Sequence, residues 1–262
     1  MKDQLERPIH LDSTPKRIVS LVPSETELLV DLGLEEAIVG ITKFCVHPVH
    51  LIKEKTIVGG TKQVHFDKIK ALQPDIILCN KEENTQEMVQ ELAKIAPVHI
   101  SDVNTIEDAL ELIAQYGLLF SKEDRATSMI KEITEKRRDF SGFIKEKTKR
   151  TTAYFIWKKP WMVAAKNTFI NELLRENGLV NYFGDKERYP EVVLNEAHPE
   201  DADLVLLSSE PFPFKEEHIP KVQAYFPNAT VVIVDGEMFS WYGSRLLKSF
   251  DYFKTLHQHH LN

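Results

Sequence analysis

Positive charge is in short supply: 33 lysines and arginines face 40 aspartates and glutamates, leaving a net charge of −7 over 262 residues. A nucleic-acid binder needs a basic stripe to neutralise phosphates, so that class is excluded. The densest basic segment, Lys145 to Arg150, is interrupted by Glu146 and reads as a solvated helix end. No apolar run approaches the ~18 residues that a membrane helix needs. Cysteine is scarce: Cys45 and Cys79 could pair once or stay reduced, and say little about compartment. Enzyme signatures are missing too. Gly59-Gly60-Thr61-Lys62 lacks the spacing of a phosphate-binding P-loop, and no nucleophile elbow, zinc-protease pair or dinucleotide fingerprint occurs. His198 with Asp201 or Asp203 has no nucleophile beside it, so these residues are taken as polar punctuation between elements. The polar stretch Met1 to Pro15 has neither an apolar signal core nor a lipid-acceptor cysteine. As written the chain reads as cytoplasmic; it would be periplasmic or membrane-anchored if an export segment had been removed.

What is present is ordinary globular material, 42% hydrophobic and 28% charged, enough to bury a sizeable core. Strand-like and helix-like runs alternate. Arg17 to Val22 is β-rich, and Ser24 with Glu27 three residues later forms a capping-box signal for a helix ending at Gly33. Ala37 to Ile41, Asp75 to Cys79 and Pro97 to Ile100 read as strands. Phe66 to Gln73, Asn84 to Ile95 and Thr105 to Phe120 read as helices. The second half repeats the style, with strands at Thr152 to Trp157, Leu204 to Leu207 and Thr230 to Val234. Its helices are Thr168 to Asn177, Glu216 to Tyr225 and a final one from Phe239 to His257.

The halves share punctuation. Gly33-Leu34 and Gly178-Leu179 each close a first helix, and Pro74-Asp75 and Asp201-Ala-Asp203 each precede a core strand. The predicted architecture is α/β, with two Rossmann-like lobes, each a parallel-rich sheet flanked by helices. One larger doubly wound domain is the alternative. Between the halves, Ala126, Met129, Ile130, Ile133, Phe140 and Phe143 recur at helical spacing. A helix over Lys122 to Thr148, about 26 residues and ~39 Å long, would join the lobes as a rigid backbone. The domains are then 1–121, 122–148 and 149–262, and stiff backbone hydrogen bonding predicts little lobe closure.

At these residues the chain resembles the helical-backbone metal-receptor family, the class III substrate-binding proteins that serve ABC importers of vitamin B12, haem and ferric siderophores. Pro15 to Glu27, Val39 to Pro48, Val58 to Thr61 and Phe66 to Asp75 are similar to that family's first-lobe elements. Ala165 to Gly178 and Tyr189-Pro190 with Val192 are similar to those of its second lobe. The resemblance covers about residues 15 to 258 and lies nearest the cobalamin-binding branch. It implies a monomeric, non-catalytic receptor with no intrinsic cofactor, holding a corrinoid, ferric siderophore or haem between its lobes. Carried over by position, Phe44, Thr61 and Asn80 would line the ligand site from the first lobe, and Met162, Tyr189, Glu237 and Trp241 from the second. Thr61 and Asn80 stand where cobalamin binders carry tryptophans, and Trp241 where an arginine is expected. Cobalamin is therefore one candidate among several chelates. Asp67 and Glu196 occupy the positions of carboxylates that dock on the permease.

The residues themselves add detail. The loop Lys43 to His50 follows a strand and offers a thiol, two imidazoles and an aromatic face. His47 or Cys45 could take an axial position on a metal; alternatively Pro48 makes a turn, His47 caps it and Cys45 is packed inside. All three tryptophans lie in the second half, with Trp157 and Trp161 in an expected loop near Lys158, Lys159 and Lys166, which could meet ligand carboxylates. Two other readings stay open. One is a free metal-ion receptor using His47, His50 or His198; the other is a cytosolic enzyme or cofactor-insertion factor on the same scaffold.

Overall fold

Apolar runs too short for helices and buried on both faces make the first sheet. The computed structural model describes residues 1–194 and 202–261. Strands β1 (Ile18–Ser20), β2 (Ile38–Thr42), β3 (Thr56–Gly59), β4 (Ile76–Asn80) and β5 (Val98–Ser101) lie in the order β3-β2-β1-β4-β5, every neighbouring pair parallel. The order reverses between β1 and β4, a switch point whose carboxyl-end loops are where open α/β sheets receive ligands. Helices α1 (Pro23–Asp31), α2 (Leu51–Glu54), α3 (Phe66–Ala71), α4 (Gln86–Leu92) and α5 (Ile106–Leu119) connect and follow these strands. Val19, Leu21, Ile77, Cys79 and Val98 pack with Ile69, Met88 and Leu92 into one buried cluster.

The chain divides into two units: residues 1–103, 107–132 and Tyr242–Arg245 form the first, and 104–106, 133–241 and 246–262 the second. Helix α6 (Glu123–Ile144) begins in the first unit and ends in the second. Its 22 residues span about 33 Å, and Ala126, Met129, Ile133 and Phe140 form its buried stripe. The long helix was expected to reach Thr148. It stops at Ile144, where the apolar stripe ends and only charged residues and Thr148 follow.

In the second unit β6 (Arg150–Lys158), β7 (Trp161–Val163), β8 (Leu179–Asn181), β9 (Leu204–Ser208) and β10 (Thr230–Val234) form a sheet in the order β10-β9-β6-β7, with β8 also pairing β6. All pairs are parallel except β6 with β7. Helices α7 (Phe169–Glu176), α8 (Ile219–Gln223), α9 (Gly236–Ser240) and α10 (Leu246–His259) accompany it. Phe155, Val205, Leu207, Phe214, Val222 and Phe226 belong to its core. Two separate sheets exclude the alternative of one doubly wound domain, and the expected α/β class stands.

Four local readings are corrected. The stretch Trp157 to Trp161 is a hairpin joining β6 to β7, not a loop. Strands β3 and β8 were missed; both are short, and β3 has only one fully buried residue, Val58. The last helix is broken after Ser240 into α9 and α10, and Gly243 in the break takes a left-handed φ of +84°. Finally, Ser24 and Glu27 make no capping box. Helix α1 starts at Pro23, its cap Val22 contributes no side chain, and Pro23 through Leu29 are all buried. Glu27 instead pairs with Arg245, Nε to Oε2 2.8 Å, both side chains almost wholly buried.

Candidate functional site

In the first unit the loops leaving β2 and β3 shape an open concavity of ≈ 1040 Å³. Lys43 and Phe44 come from the first loop, Gly60 to His65 from the second, and α3 and α4 supply Phe66, Lys68 and Met88. Gly59, with φ +138°, lets the second loop fold tightly: Gly60 N–H donates to Gln63 O at 2.7 Å, and a Cβ on Gly59 would lie 2.5 Å from the same carbonyl. Phe44 is 49% exposed, and the Lys43 ammonium sits 5.0 Å from its ring centre. An exposed phenyl ring at a strand's carboxyl end is more readily explained by a ligand than by folding.

Phe44 and Thr61 thus share one wall. Asn80 does not join them: it is buried, and its side chain organises the turn after β4. Its Oδ1 accepts from Glu82 N at 2.8 Å and Glu83 N at 3.2 Å, and its Nδ2 donates to Ser101 Oγ at 2.9 Å. The link to the concavity is indirect. Asn84 Oδ1 accepts from Asn80 N, and Asn84 Nδ2 donates to Thr61 O at 2.8 Å. Cys45 is buried, its Sγ 3.1 Å from Thr26 Oγ1 and 3.3 Å from Thr42 Oγ1, and burial pushes its thiol pKa up. Cys79 is also a free, buried thiol. His47 is half-buried beside Pro48, while His50 is exposed and pairs with Glu35 at 2.7 Å, so the two imidazoles do not converge in one metal-ligating group. Asp67 stands exposed in the first turn of α3, where a carboxylate also favours the helix dipole. Glu196, His198 and Asp201 lie outside the described residues.

In the second unit aromatic side chains gather where β6 turns into β7. Trp157, 37% exposed, meets Phe212 edge-on at 5.8 Å, and Trp161 stacks on Phe214 at 6.1 Å. Lys158 and Lys221 lie over Phe212 and Trp161 at 6.0 and 5.9 Å. Lys166 is engaged with Glu187 at 2.9 Å. Met162 pairs with Trp157 across the hairpin and bridges to Glu191; Val163 N donates to Pro190 O, so Met162 and Tyr189 come onto neighbouring strips, both half-buried. Glu237 and Trp241 are one helical turn apart on and after α9, joined by Trp241 N to Glu237 O at 2.9 Å.

Two carboxyls escaped the sequence reading. Glu25 is fully buried in the first unit: Ser101 Oγ and Tyr116 Oη donate short hydrogen bonds to it, and Tyr242 Oη donates at 3.1 Å. Burial raises its pKa to about 7, against the opposing pull of these three donors. Glu210, just after β9 in the second unit, accepts from Ser240 Oγ at 2.7 Å and Trp241 Nε1 at 3.0 Å on one oxygen. Burial raises its pKa as well. The Trp241 indole, which the family resemblance would put at the ligand, is therefore held by a carboxyl group. The available signal was weak: Glu25 lies among residues that look like an exposed helix start, and its partners are far away in sequence.

Open loops at the carboxyl ends of parallel strands and an exposed aromatic wall are features suited to holding a ligand. Residues 18–222 match the periplasmic binding protein family, and the chain belongs to it. It is 27% identical over 184 residues to the ABC transporter substrate-binding lipoprotein YvrC of Bacillus subtilis (strain 168), an alignment covering 66% of this chain and 57% of that protein. It is 25% identical over 244 residues to the vitamin B12-binding protein of Pectobacterium carotovorum subsp. carotovorum (strain PC1), covering 89% and 85%. The crystal structure of a periplasmic haem-binding protein from Pseudomonas aeruginosa superposes with a TM-score of 0.80 at 20% identity, covering 92% of each chain. These relatives are binding proteins rather than enzymes; YvrC is a lipoprotein and the Pseudomonas aeruginosa protein is periplasmic. Among the described residues no helix is long and apolar enough to cross a membrane.

Proposed function

We propose that this protein is the substrate-binding component of an ABC importer and holds a metal chelate, a corrinoid, haem or ferric siderophore. The carrying observation is the concavity of the first unit, large enough for such a ligand and walled by an exposed phenyl ring with an ammonium beside it. A flat, partly apolar chelate gains from area burial and stacking on Phe44, and its carboxylates or amides from Lys43 and Lys62. Met162, Tyr189, Glu237 and Trp241 are proposed as ligand contacts from the family resemblance, with Glu210 holding the Trp241 indole. The threonine at position 61 removes a stacking surface, so a ligand with peripheral carboxylates is favoured over one that needs an indole there. Asp67 and Glu196 are the proposed contacts with the permease.

The test is a titration of the purified protein with aquocobalamin, haemin, and hydroxamate and catecholate ferric siderophores, followed by tryptophan fluorescence and visible absorption. One of them is expected to saturate at one equivalent, and Phe44→Ala to weaken it about tenfold, the loss of roughly half an aromatic side chain's burial. No response to any of them would remove this reading.

A further inference from the structure

Glu35 lies in the 3-10 turn Glu35–Ala37 that leads into β2, while His50 and Glu54 lie at the two ends of α2, beyond the loop that leaves it. His50 and Glu54 are four residues apart on one helical turn, the spacing that places two side chains on one face. The fold brings Glu35 to the same place. Its Oε1 is 2.7 Å from His50 Nε2, and one donor atom from each of the three residues lies within 4.8 Å of the others. Lys55 donates to the main-chain oxygen of Glu35 at 2.8 Å, a contact that does not use the carboxylate. The ligand-binding reading has no role for these side chains. An ion pair needs one carboxylate; here two converge on an imidazole whose Nε2 can answer only one.

We infer that Glu35, His50 and Glu54 form a binding site for a first-row divalent cation, with Zn²⁺ the best match. One imidazole nitrogen and two carboxylate oxygens suit Zn²⁺ better than Ca²⁺ or Mg²⁺, which prefer all-oxygen shells of six or more ligands. Donor atoms around a tetrahedral Zn²⁺ at about 2.0–2.2 Å are roughly 3.3 Å apart. The longer separations, at most 4.8 Å, therefore need to close by up to about 1.5 Å, and the 2.7 Å one to open by about 0.6 Å. Side-chain exposures of 45% for His50 and 32% for Glu35 leave room for those rotations. Three protein donors leave the fourth position to water. The ion would fasten together the two ends of a segment that contains β2 and the Phe44 loop, so it would act as a clip on the loop that carries the exposed ring.

The test uses the full chain carrying His259→Ala and His260→Ala, which removes the exposed tail imidazoles as competitors. Isothermal titration with Zn²⁺ is expected to show one equivalent bound at micromolar affinity. His50→Ala or Glu35→Gln should each weaken it at least tenfold, Glu54→Gln by less, and Ca²⁺ should not compete. Hydrogen exchange across residues 43–50 should slow when Zn²⁺ is added to the parent and not to the His50→Ala variant. All three side chains are at the surface, so circular dichroism of the variants is expected to match the parent. No binding by the parent, an affinity unchanged by His50→Ala, or equal affinity for Ca²⁺ would each show an adventitious ion only and overturn the site.

Discussion

Asp75 stands just before β4 in the first unit and Asp203 just before β9 in the second, and each staples the start of its sheet's central strand. Asp75 Oδ2 accepts from Lys16 N and Arg17 N at 2.7 and 2.9 Å; Asp203 Oδ2 accepts from Thr151 N at 2.7 Å. The main chain repeats the pattern, Asp75 N to Arg17 O and Asp203 N to Thr151 O. Gly33 and Gly178 close the first helix of each unit with φ of +76° and +67°. Each unit also buries one carboxyl with a raised pKa and one histidine with a lowered pKa, Glu25 with His99 and Glu210 with His257. The units differ in where the carboxyl sits. Glu25 is sealed beneath three hydroxyls, whereas Glu210 holds the Trp241 indole at a strand's carboxyl end. The scaffold is shared, and the polar chemistry placed on it is not: sealed in one unit to fix the fold, set at the loop edge in the other to orient a side chain.

The sharpest way to break this comparison is to remove the buried cation of the first unit, Arg245, which pairs with Glu27. Arg245→Ala removes the guanidinium buried against Glu27 and should cost about 3–5 kcal/mol, read from urea unfolding. A loss near zero would mean the pair is structurally idle. Replacing both by Leu and Met should recover most of the loss.

Next in size is the pH dependence of Glu25. Its native pKa of about 7 lies above its ordinary 4.5, so the folded state holds the proton more tightly. The stability it contributes is complete below about pH 4.5 and is lost as pH rises through about 7, a span on the order of 3 kcal/mol. Glu25→Gln should flatten the unfolding free energy across that window. The histidines carry the opposite sign. Burial lowers His257 from 6.5 to about 4, so its share is present above pH 6.5 and lost as pH falls through about 4; His257→Asn should remove that acid-side loss.

The two staples should be worth about the same, roughly 1–3 kcal/mol each. Asp75→Ala and Asp203→Ala measured side by side test whether the shared punctuation is a shared mechanism, and a loss confined to one would break the correspondence. The smallest effect is expected from Glu210→Gln. An amide keeps an acceptor for Ser240 and Trp241, so stability should move by less than about 1 kcal/mol. Ligand affinity should fall only if the orientation of Trp241 matters.

Much of the fold was legible in the residues. Thr230 to Val234 is β10 residue for residue, and β1, β2, β4, β5, β6 and β9 fall within two residues of the runs of apolar side chains that announced them. Most of those strands are short, mainly apolar segments, and Asp75 and Asp203 stand just before two of them, a clear local signal. Strands β3 and β8 were not legible because their outer residues are exposed and their pairing partners are distant. The break after Ser240 was hidden because Phe239, Leu246, Phe250 and Phe253 keep helical spacing across it.

The candidate site was legible in part. Phe44 and Thr61 carry no local mark of sharing a wall; they do so because β2 and β3 are adjacent and parallel. Asn80 looks from the sequence like any polar residue after a strand. Only the fold shows that Ser101 and two backbone amides consume its hydrogen-bonding capacity.

What the sequence determined by itself was the period of its apolar residues, hence two sheets, their helices and one long helix, and the ordered motifs that mark the family. What only tertiary structure decided was which polar groups meet: Glu25 with Tyr116 and Tyr242, Glu27 with Arg245, Glu210 with Trp241, Glu35 with His50. The reason is physical. Hydrophobic periodicity is a local property written along the chain, whereas the fate of a buried charge depends on donors up to 218 residues away, and no local pattern encodes their distance in space.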